Sequence, residues 1–526
     1  MRRPEMIERL FQERTEPWDL LVVGGGATGM GVAVDAASRG YEVLLVEKSD
    51  FGKGTSSRST KLVHGGVRYL QQGNVALVME ALKERGILLR NAPHLVHDQA
   101  FVVPNYDWWE APFYGIGMKV YDLLATRYGF TRSRLLSSDE VKKRIPTVAD
   151  TGLRGGVLYY DGQFDDARLL VNLAETAAGQ GATLVNYAPC VSLTLDNEGF
   201  VDGAVIRDLE TGQEATVRAR GVINATGAFT DDVIRMAEPD ARPMIAPSQG
   251  VHVVLDRRFL PGDTAIMVPR TSDGRVLFAI PWNGHTLVGT TDTPIQEASL
   301  EPLPMDEEID FILDTAGEYL GEPPTRADVL STFAGIRPLV RAQEGASTAS
   351  LSRDHTIHIG SSGLLSIFGG KWTTYRNMAE DCVDQAATLA RLEERPCITK
   401  NLNIHGYHRN AERFGALAHY GSDAPAVEDL TRSNPELGEP LDAELPILGA
   451  QVVWAVRYEM ARTVDDVLSR RTRALQLNAR AARRMAPATA RLMAAELDRD
   501  KAWESAQVSE FQTLTRRYLL DEAPDG

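Results

Sequence analysis

The sequence predicts an α/β (α+β) chain with three parts. These are a Rossmann-type dinucleotide-binding domain, an antiparallel-sheet domain interleaved with it, and a C-terminal α-helical domain. Three observations carry this expectation. Leu20–Glu47 reads as strand, glycine turn, helix and second strand. Ala182–Val222 and Val251–Asp292 fall into short alternating runs broken by turn signals. Beyond about residue 395 glycine thins out, and helical spacing dominates from Val452 to Leu520.

The first stretch is LLVVGGGATGMGVAVDAASRGYEVLLVE. Leu20–Val23 is an apolar strand, and Gly24, Gly26 and Gly29 supply G-x-G-x-x-G. Gly24 permits a sharp turn, Gly26 lets the backbone approach a pyrophosphate, and Gly29 lets the following helix pack against the strand. The helix N-terminus offers unpaired N–H groups and the positive end of its dipole to phosphates. Tyr41–Val46 is the second strand, and Glu47, 18 residues after Gly29, is placed to accept hydrogen bonds from a ribose.

Phe51–Leu70 follows, rich in Gly, Ser and basic residues. It reads as a surface loop or, given its position, as one that wraps a cofactor. Val75–Arg90 and Asp165–Gly179 are expected helices. Trp108–Leu136 holds an amphipathic stretch with basic ends. Ala182–Val222 is an expected antiparallel meander closing on GVINATGAFT, and Leu364–Met378 reads as strand, Gly-Gly turn and helix. The dinucleotide part is assigned to about 18–90, 150–230 and 350–390, and the second part to about 91–149 and 231–349. Together they fill residues 1–395, leaving 396–526 as a separate helical domain.

At 526 residues two or three cores are expected. A formal net charge of −16 argues against nucleic-acid binding. Cys190, Cys382 and Cys397 are too few and scattered for a disulfide framework or a zinc site, which suits a reducing cytosol, and no metal is expected. The first residues carry two arginines without an apolar run behind them, so no signal peptide is read. No apolar run reaches the roughly 18 residues of a spanning helix, so membrane contact would be peripheral.

Several motifs then agree. VVGGGATGMG, TSSRSTKLVHGGVRYL, DDARL, NATGAF, VGTTDTP, FAGIRPL, SRDHTI, FGGKWTTYR and the tail RYEMARTVDDVLSRRTR resemble the FAD-dependent, respiratory glycerol-3-phosphate dehydrogenases over nearly the whole chain. The resemblance implies FAD as cofactor. It implies oxidation of glycerol 3-phosphate to dihydroxyacetone phosphate by hydride transfer to the flavin, with electrons passed to a membrane quinone. It also implies peripheral attachment to the inner face of the cell membrane and is compatible with a homodimer. The alternatives are an oxygen-using oxidase, an FAD-dependent amine or amino-acid oxidase, and a non-catalytic flavoprotein.

On this reading Gly24, Gly26, Gly29, Glu47, Ser56, Ser57, Lys61, Gly65, Gly66, Thr226, Gly227 and Gly370 are expected at the cofactor. Arg337, Arg353 and Lys371 are expected to hold the phosphate, because arginine can grip it with paired hydrogen bonds and lysine acts as a point charge. Arg68 and Tyr69 are expected in the same cavity. Lys371 has a second reading, at a helix N-terminus facing the flavin. His252 is the candidate base, with His64 as an alternative; a lone strand histidine also suits a core. No role is assigned to Thr290, Thr291 and Asp292. Phe113–Leu136, with Lys119, Arg127, Arg132 and Arg134, has the residues of an interfacial helix. Arg470, Arg471, Arg473, Arg480, Arg483 and Arg484 read as a solvated helix face.

Overall fold

The computed structural model of the protein describes residues 1–65, 75–107, 133–269, 271, 274–341 and 355–520. Gly66, Arg68, Tyr69, Arg353 and nearly all of the expected interfacial helix lie outside these residues. The described end of that stretch is not helical: Arg134–Ser137 is a strand paired with Gly155–Leu158.

The nucleotide sheet is organised around Trp18–Val23. This strand pairs in parallel with Val43–Val46 on one side and with Ala219–Asn224 on the other. Leu365–Gly369 adds a further parallel strand next to the last of these. Leu20, Leu21, Val22, Leu44 and Leu45 are fully buried, as expected of a parallel sheet covered on both faces. The helix Ala27–Ser38 packs against the helices Asp166–Gly179 and Tyr375–Leu389. Thr183–Val185 does not belong to the meander expected from Ala182 onward. It pairs in parallel with Leu44–Val46, since its three residues are all buried and fit a covered sheet. The antiparallel part is Cys190–Leu195, Val201–Arg207 and the first half of Glu214–Asn224.

The second sheet has ten strands. Its longest pair is Ile245–Asp256 against Val329–Val340. Gly155–Phe164 lies in this sheet, antiparallel to Val96–Asn105 and bonded to Leu62–Val63. The boundary expected near residue 150 therefore falls elsewhere: nine of these ten residues are buried, so their apolar character marks a central strand without showing which sheet takes it.

Beyond residue 395 one core is internal, with Ala450, Val453 and Trp454 of the helix Gly449–Tyr458 packed on Leu417, Tyr420 and Val427, but the helices Ala479–Leu497 and Lys501–Arg516 also join the second sheet. Val452, Leu468, Leu475, Met485 and Phe511 pack in one cluster with Val254, Trp282, Leu287 and Phe333 of the second sheet. Arg470, Arg471 and Arg473 are only 3%, 1% and 2% exposed, against the expected solvated face. Arg471 donates to the Asp50 carboxylate at 2.6 and 2.9 Å, and Arg470 binds Asp50 and Asp466. Arg473, with φ of 66°, donates to Asp166 at 2.8 Å and to the Ser57 carbonyl at 3.0 Å. Burial opposes ionisation of Asp50, but Arg471 and Arg470 hold its carboxyl below the ordinary value. Arg484, by contrast, lies near the surface on Asp442.

Removing one partner of a buried pair strands the other, whereas an exposed pair contributes little. Asp50→Ala should therefore destabilise the protein by about 3–5 kcal/mol in chemical denaturation, and Arg484→Ala by no more than about 1 kcal/mol. The Asp50 contribution is present at neutral pH, above the unfolded value of 3.8, and is lost as pH falls through the lower folded value. Equal losses from the two variants would contradict the assignment.

Candidate active site

Two cavities meet between the sheets. The first, about 370 Å³, opens at the carboxyl ends of the parallel strands, and Gly24, Gly26, Glu47, Ser56, Thr226 and Gly227 are on its wall. Gly24 has φ of +112°, and a Cβ there would lie 2.6 Å from the Ala225 carbonyl oxygen. A Cβ on Gly29 would lie 1.9 Å from the Gly24 carbonyl oxygen, so the helix can start this close to the turn only with glycine. Gly26 caps that helix without a side chain, and the Ser56 hydroxyl accepts from the Ala27 N–H at 2.9 Å. Glu47 accepts from the N–H groups of Gly25 and Ser49 at 2.7 and 2.8 Å. Burial raises its carboxyl, and those N–H groups oppose the rise.

The second cavity, about 250 Å³, shares Gly369, Gly370, Lys371 and Trp372 with the first. Thr60, His64, His252 and Arg337 also line it. The two long antiparallel strands bring the last two together, with His252 opposite Phe333 and Ser248 opposite Arg337. The Arg337 guanidinium donates to the Thr291 carbonyl at 3.0 Å, to Thr290 Oγ1 at 3.2 Å, and to Asp292 and the Gln249 carbonyl at 3.3 Å each. Thr290, Thr291 and Asp292, which had no role in the sequence, thus aim the arginine. Their only signal was a hydroxyl-rich strand end followed by an acid. Lys371 follows the Gly369–Gly370 turn and precedes the short turn Trp372–Thr374, which leads into the helix Tyr375–Leu389. Trp372 Nε1 donates to the Ser56 carbonyl at 2.9 Å.

The His252 ring is stacked on Phe333, with centroids 4.9 Å apart. Its Nε2 lies 3.0 Å from Thr60 Oγ1, and its buried Nδ1 has no hydrogen-bond partner among the described residues. Burial, then the charges of Lys61 and Arg337, push the imidazole well below its ordinary value, so it stands neutral.

Besides Gly29, three expected cofactor residues sit behind the wall rather than on it. Ser57 turns its hydroxyl to the Gly52 carbonyl at 2.7 Å. Lys61 is fully buried and donates to Asp166 at 2.7 Å and to the Ser57 carbonyl at 2.9 Å. Burial and the neighbouring Arg473 lower its amine to about 7. Gly65 donates its N–H to Asp161 at 3.4 Å.

A largely parallel nucleotide sheet docked on a largely antiparallel one, with a dinucleotide cleft opening onto a cationic cavity, is the arrangement of an FAD-dependent oxidoreductase. Residues 19–376 match the family described as FAD dependent oxidoreductase, and residues 365–504 match the C-terminal domain of alpha-glycerophosphate oxidase. The chain is 41% identical over 530 residues to the probable mitochondrial glycerol-3-phosphate dehydrogenase of Caenorhabditis elegans, covering 95% of this chain and 73% of that one. It is 41% identical over 547 residues to the human mitochondrial glycerol-3-phosphate dehydrogenase, covering 98% and 74%. The structure of the Bacillus halodurans glycerol-3-phosphate dehydrogenase complexed with FAD aligns with a TM-score of 0.79 at 30% identity, over 98% of this chain and 97% of that one. The chain belongs to the family of FAD-dependent glycerol-3-phosphate dehydrogenases, and its cofactor is FAD.

The close approach at Gly29 gives a direct expectation. Gly29→Val should purify with little or no flavin, because its first side-chain carbon already overlaps the Gly24 carbonyl. Gly179→Ala, where a Cβ meets nothing within 4 Å, should keep its full complement. The measurement is the ratio of flavin to protein absorbance after desalting.

Proposed function

We propose that this protein oxidises sn-glycerol 3-phosphate to dihydroxyacetone phosphate and passes the electrons to a membrane quinone. The observation that carries the reading is the convergence of Arg337, Lys371 and His252 on one cavity that shares a wall with the FAD cleft. Two fixed cations in a chain of net charge −16 are what a small phosphate ester requires.

The residues present fit FAD. Gly24, Gly26 and the N-terminus of the helix Ala27–Ser38 hold the pyrophosphate, with Gly29 allowing that helix its position. Glu47 takes the ribose. Ser56, Thr226, Gly227 and Gly370 line the rest. Ser57, Lys61 and Gly65 act one layer behind, by fixing the loop. Bound FAD supplies the acceptor for the hydride leaving the carbinol carbon. Arg337 and Lys371 take the phosphate and so fix the distance from that carbon to the cofactor wall. His252, neutral and desolvated, takes up the hydroxyl proton. Arg68, Tyr69 and Arg353 are proposed to complete the substrate site.

The membrane part of the reading rests on two supports. Among the described residues no helix is long and apolar enough to cross a membrane. The stretch ending at Leu136 carries apolar residues interleaved with Lys119, Arg127 and Arg132, as an interfacial segment would. The enzyme is proposed to attach peripherally to the inner face of the cell membrane.

Turnover of glycerol 3-phosphate with a short-chain quinone, measured anaerobically and again in air, tests this function. Fast flavin reoxidation by the quinone and slow reaction with oxygen are expected. Rapid stoichiometric hydrogen peroxide formation, with no gain from quinone, would make the protein an oxidase instead. For the phosphate, Arg337→Ala removes charge-assisted hydrogen bonds worth about 1.5–3 kcal/mol, so KM should rise roughly ten- to a hundredfold. An unchanged KM would take Arg337 out of the site.

A further inference from the structure

The contact between Thr60 and His252 has a consequence beyond the family chemistry. Among the described residues His252 hydrogen-bonds through one nitrogen only. Nδ1 is buried without a partner among the described residues, and the ring plane is fixed by the stack on Phe333. Nε2 is therefore the nitrogen open to exchange, and its hydrogen-bond position is held by Thr60 Oγ1 at 3.0 Å. Both residues line the cavity of about 250 Å³ that contains Arg337 and Lys371.

Thr60 is held from both sides. Its two neighbours are tied to one carboxylate: Asp166 accepts from the Ser59 N–H at 3.1 Å, from the Ser59 hydroxyl at 2.7 Å and from Lys61 Nζ at 2.7 Å. Lys61 adopts φ of 62°, and Leu62 then enters the second sheet opposite Gln163. The chain on both sides of Thr60 is fixed, so its hydroxyl is presented to Nε2 without a further ordering cost.

We propose that Thr60 relays the substrate's hydroxyl proton to His252, a role that rests on the reading of His252 as the base. The substrate O–H bond breaks and an O–H bond forms on Thr60 Oγ1, as the threonine's own O–H breaks and an N–H bond forms on His252 Nε2. The hydride leaves the same carbinol carbon for FAD, so the alcohol loses one proton and one hydride and becomes the ketone. A hydroxyl suits this position because it both donates and accepts. It donates to the bare Nε2 beforehand and accepts from the protonated Nε2 afterwards, so the buried ring keeps a partner in both states. The charges that face the ring are Lys61, Arg337 and Asp166. Two cations against one carboxylate disfavour a lasting imidazolium, and the bridging hydroxyl gives its proton a way back out.

The test is anaerobic stopped-flow reduction of the bound flavin by glycerol 3-phosphate. Thr60→Val keeps the shape and removes the hydroxyl. It should slow flavin bleaching on the order of ten- to a thousandfold, with flavin content, melting temperature and the half-saturating substrate concentration close to wild type. Thr60→Ser should restore most of the rate. In a His252→Asn background, Thr60→Val should cost nothing more, since the two groups act as one unit. A wild-type rate in Thr60→Val, a Thr60→Ser variant as slow as the valine variant, or additive losses in the double variant would each overturn the relay. A wild-type rate in His252→Asn would overturn the base assignment itself. A slow His252→Asn beside a normal Thr60→Val would remove the relay and leave the base in place.

Discussion

The site depends on a buried charge lattice beneath the loop that joins the two sheets. After Val43–Val46 the chain must pass under the FAD cleft and enter the second sheet at Leu62–Val63. It does so with few large apolar side chains to anchor it. Ordering each such residue costs about 1–2 kcal/mol, and here the compensation is ionic. Asp50 lies between Arg470 and Arg471, and the Ser57 carbonyl accepts from Lys61, Arg473 and Gln476. Asp166 joins Lys61 to Arg473. No residue beyond Met378 lines either cavity among the described residues. The C-terminal helices therefore serve the site from behind: they supply the cations without which the loop that carries Ser56 and Thr60 has no fixed course.

The same lattice sets the electrostatics of the chemistry. Lys61 and Arg473 share Asp166 beneath the ring of His252, Arg337, paired with Asp292, faces it from the cavity side, and the net effect of Lys61 and Arg337 on the imidazole is to lower its pKa. Such a field favours a phosphate ester and an oxygen losing its proton, and it keeps the imidazole unprotonated until substrate arrives. It also explains how an acidic chain hosts an anionic substrate. The net charge of −16 describes the whole chain, whereas the cations that matter lie in or beneath the cleft, where water screens them little.

What the sequence made legible was the local part. Gly24, Gly29 and Glu47 belong to one βαβ unit whose geometry is set within about thirty residues, and the structure places them around a single turn. Arg337, Lys371 and His252 were found by motif, and the two sheets bring them together. Lys61 and Ser57 were expected at the cofactor because they neighbour Ser56, but a loop with no regular period does not reveal which way each side chain turns. Arg470, Arg471 and Arg473 depart from the expected solvated face for a related reason, whereas Arg484 is exposed. Asp50 and Arg471 are 421 positions apart, and a run of arginines reads the same whether water or a carboxylate receives it. The strand Gly155–Phe164 failed on sheet membership, since an apolar run shows that a strand is covered and not what covers it.

The shared wall Gly369–Trp372 turns two sites into one instrument. Gly369 and Gly370 both have positive φ, and this sharp turn sets Lys371 at the junction of the FAD cleft and the substrate cavity. Trp372 is bonded to the Ser56 carbonyl, and Ser56 in turn accepts from the first N–H of the helix that faces the pyrophosphate. On the proposed reading, a phosphate on Lys371 would thus be connected, through two hydrogen bonds and one tight turn, to the helix proposed to face the dinucleotide. On that reading, whatever orders that loop for FAD would also order the cation that takes the phosphate, so cofactor and substrate affinity would be linked by position and not only by contact. The distance from phosphate anchor to carbinol carbon is short in a three-carbon ester. On the proposed reading, the shared wall Gly369–Trp372 is what sets that carbon against the cofactor.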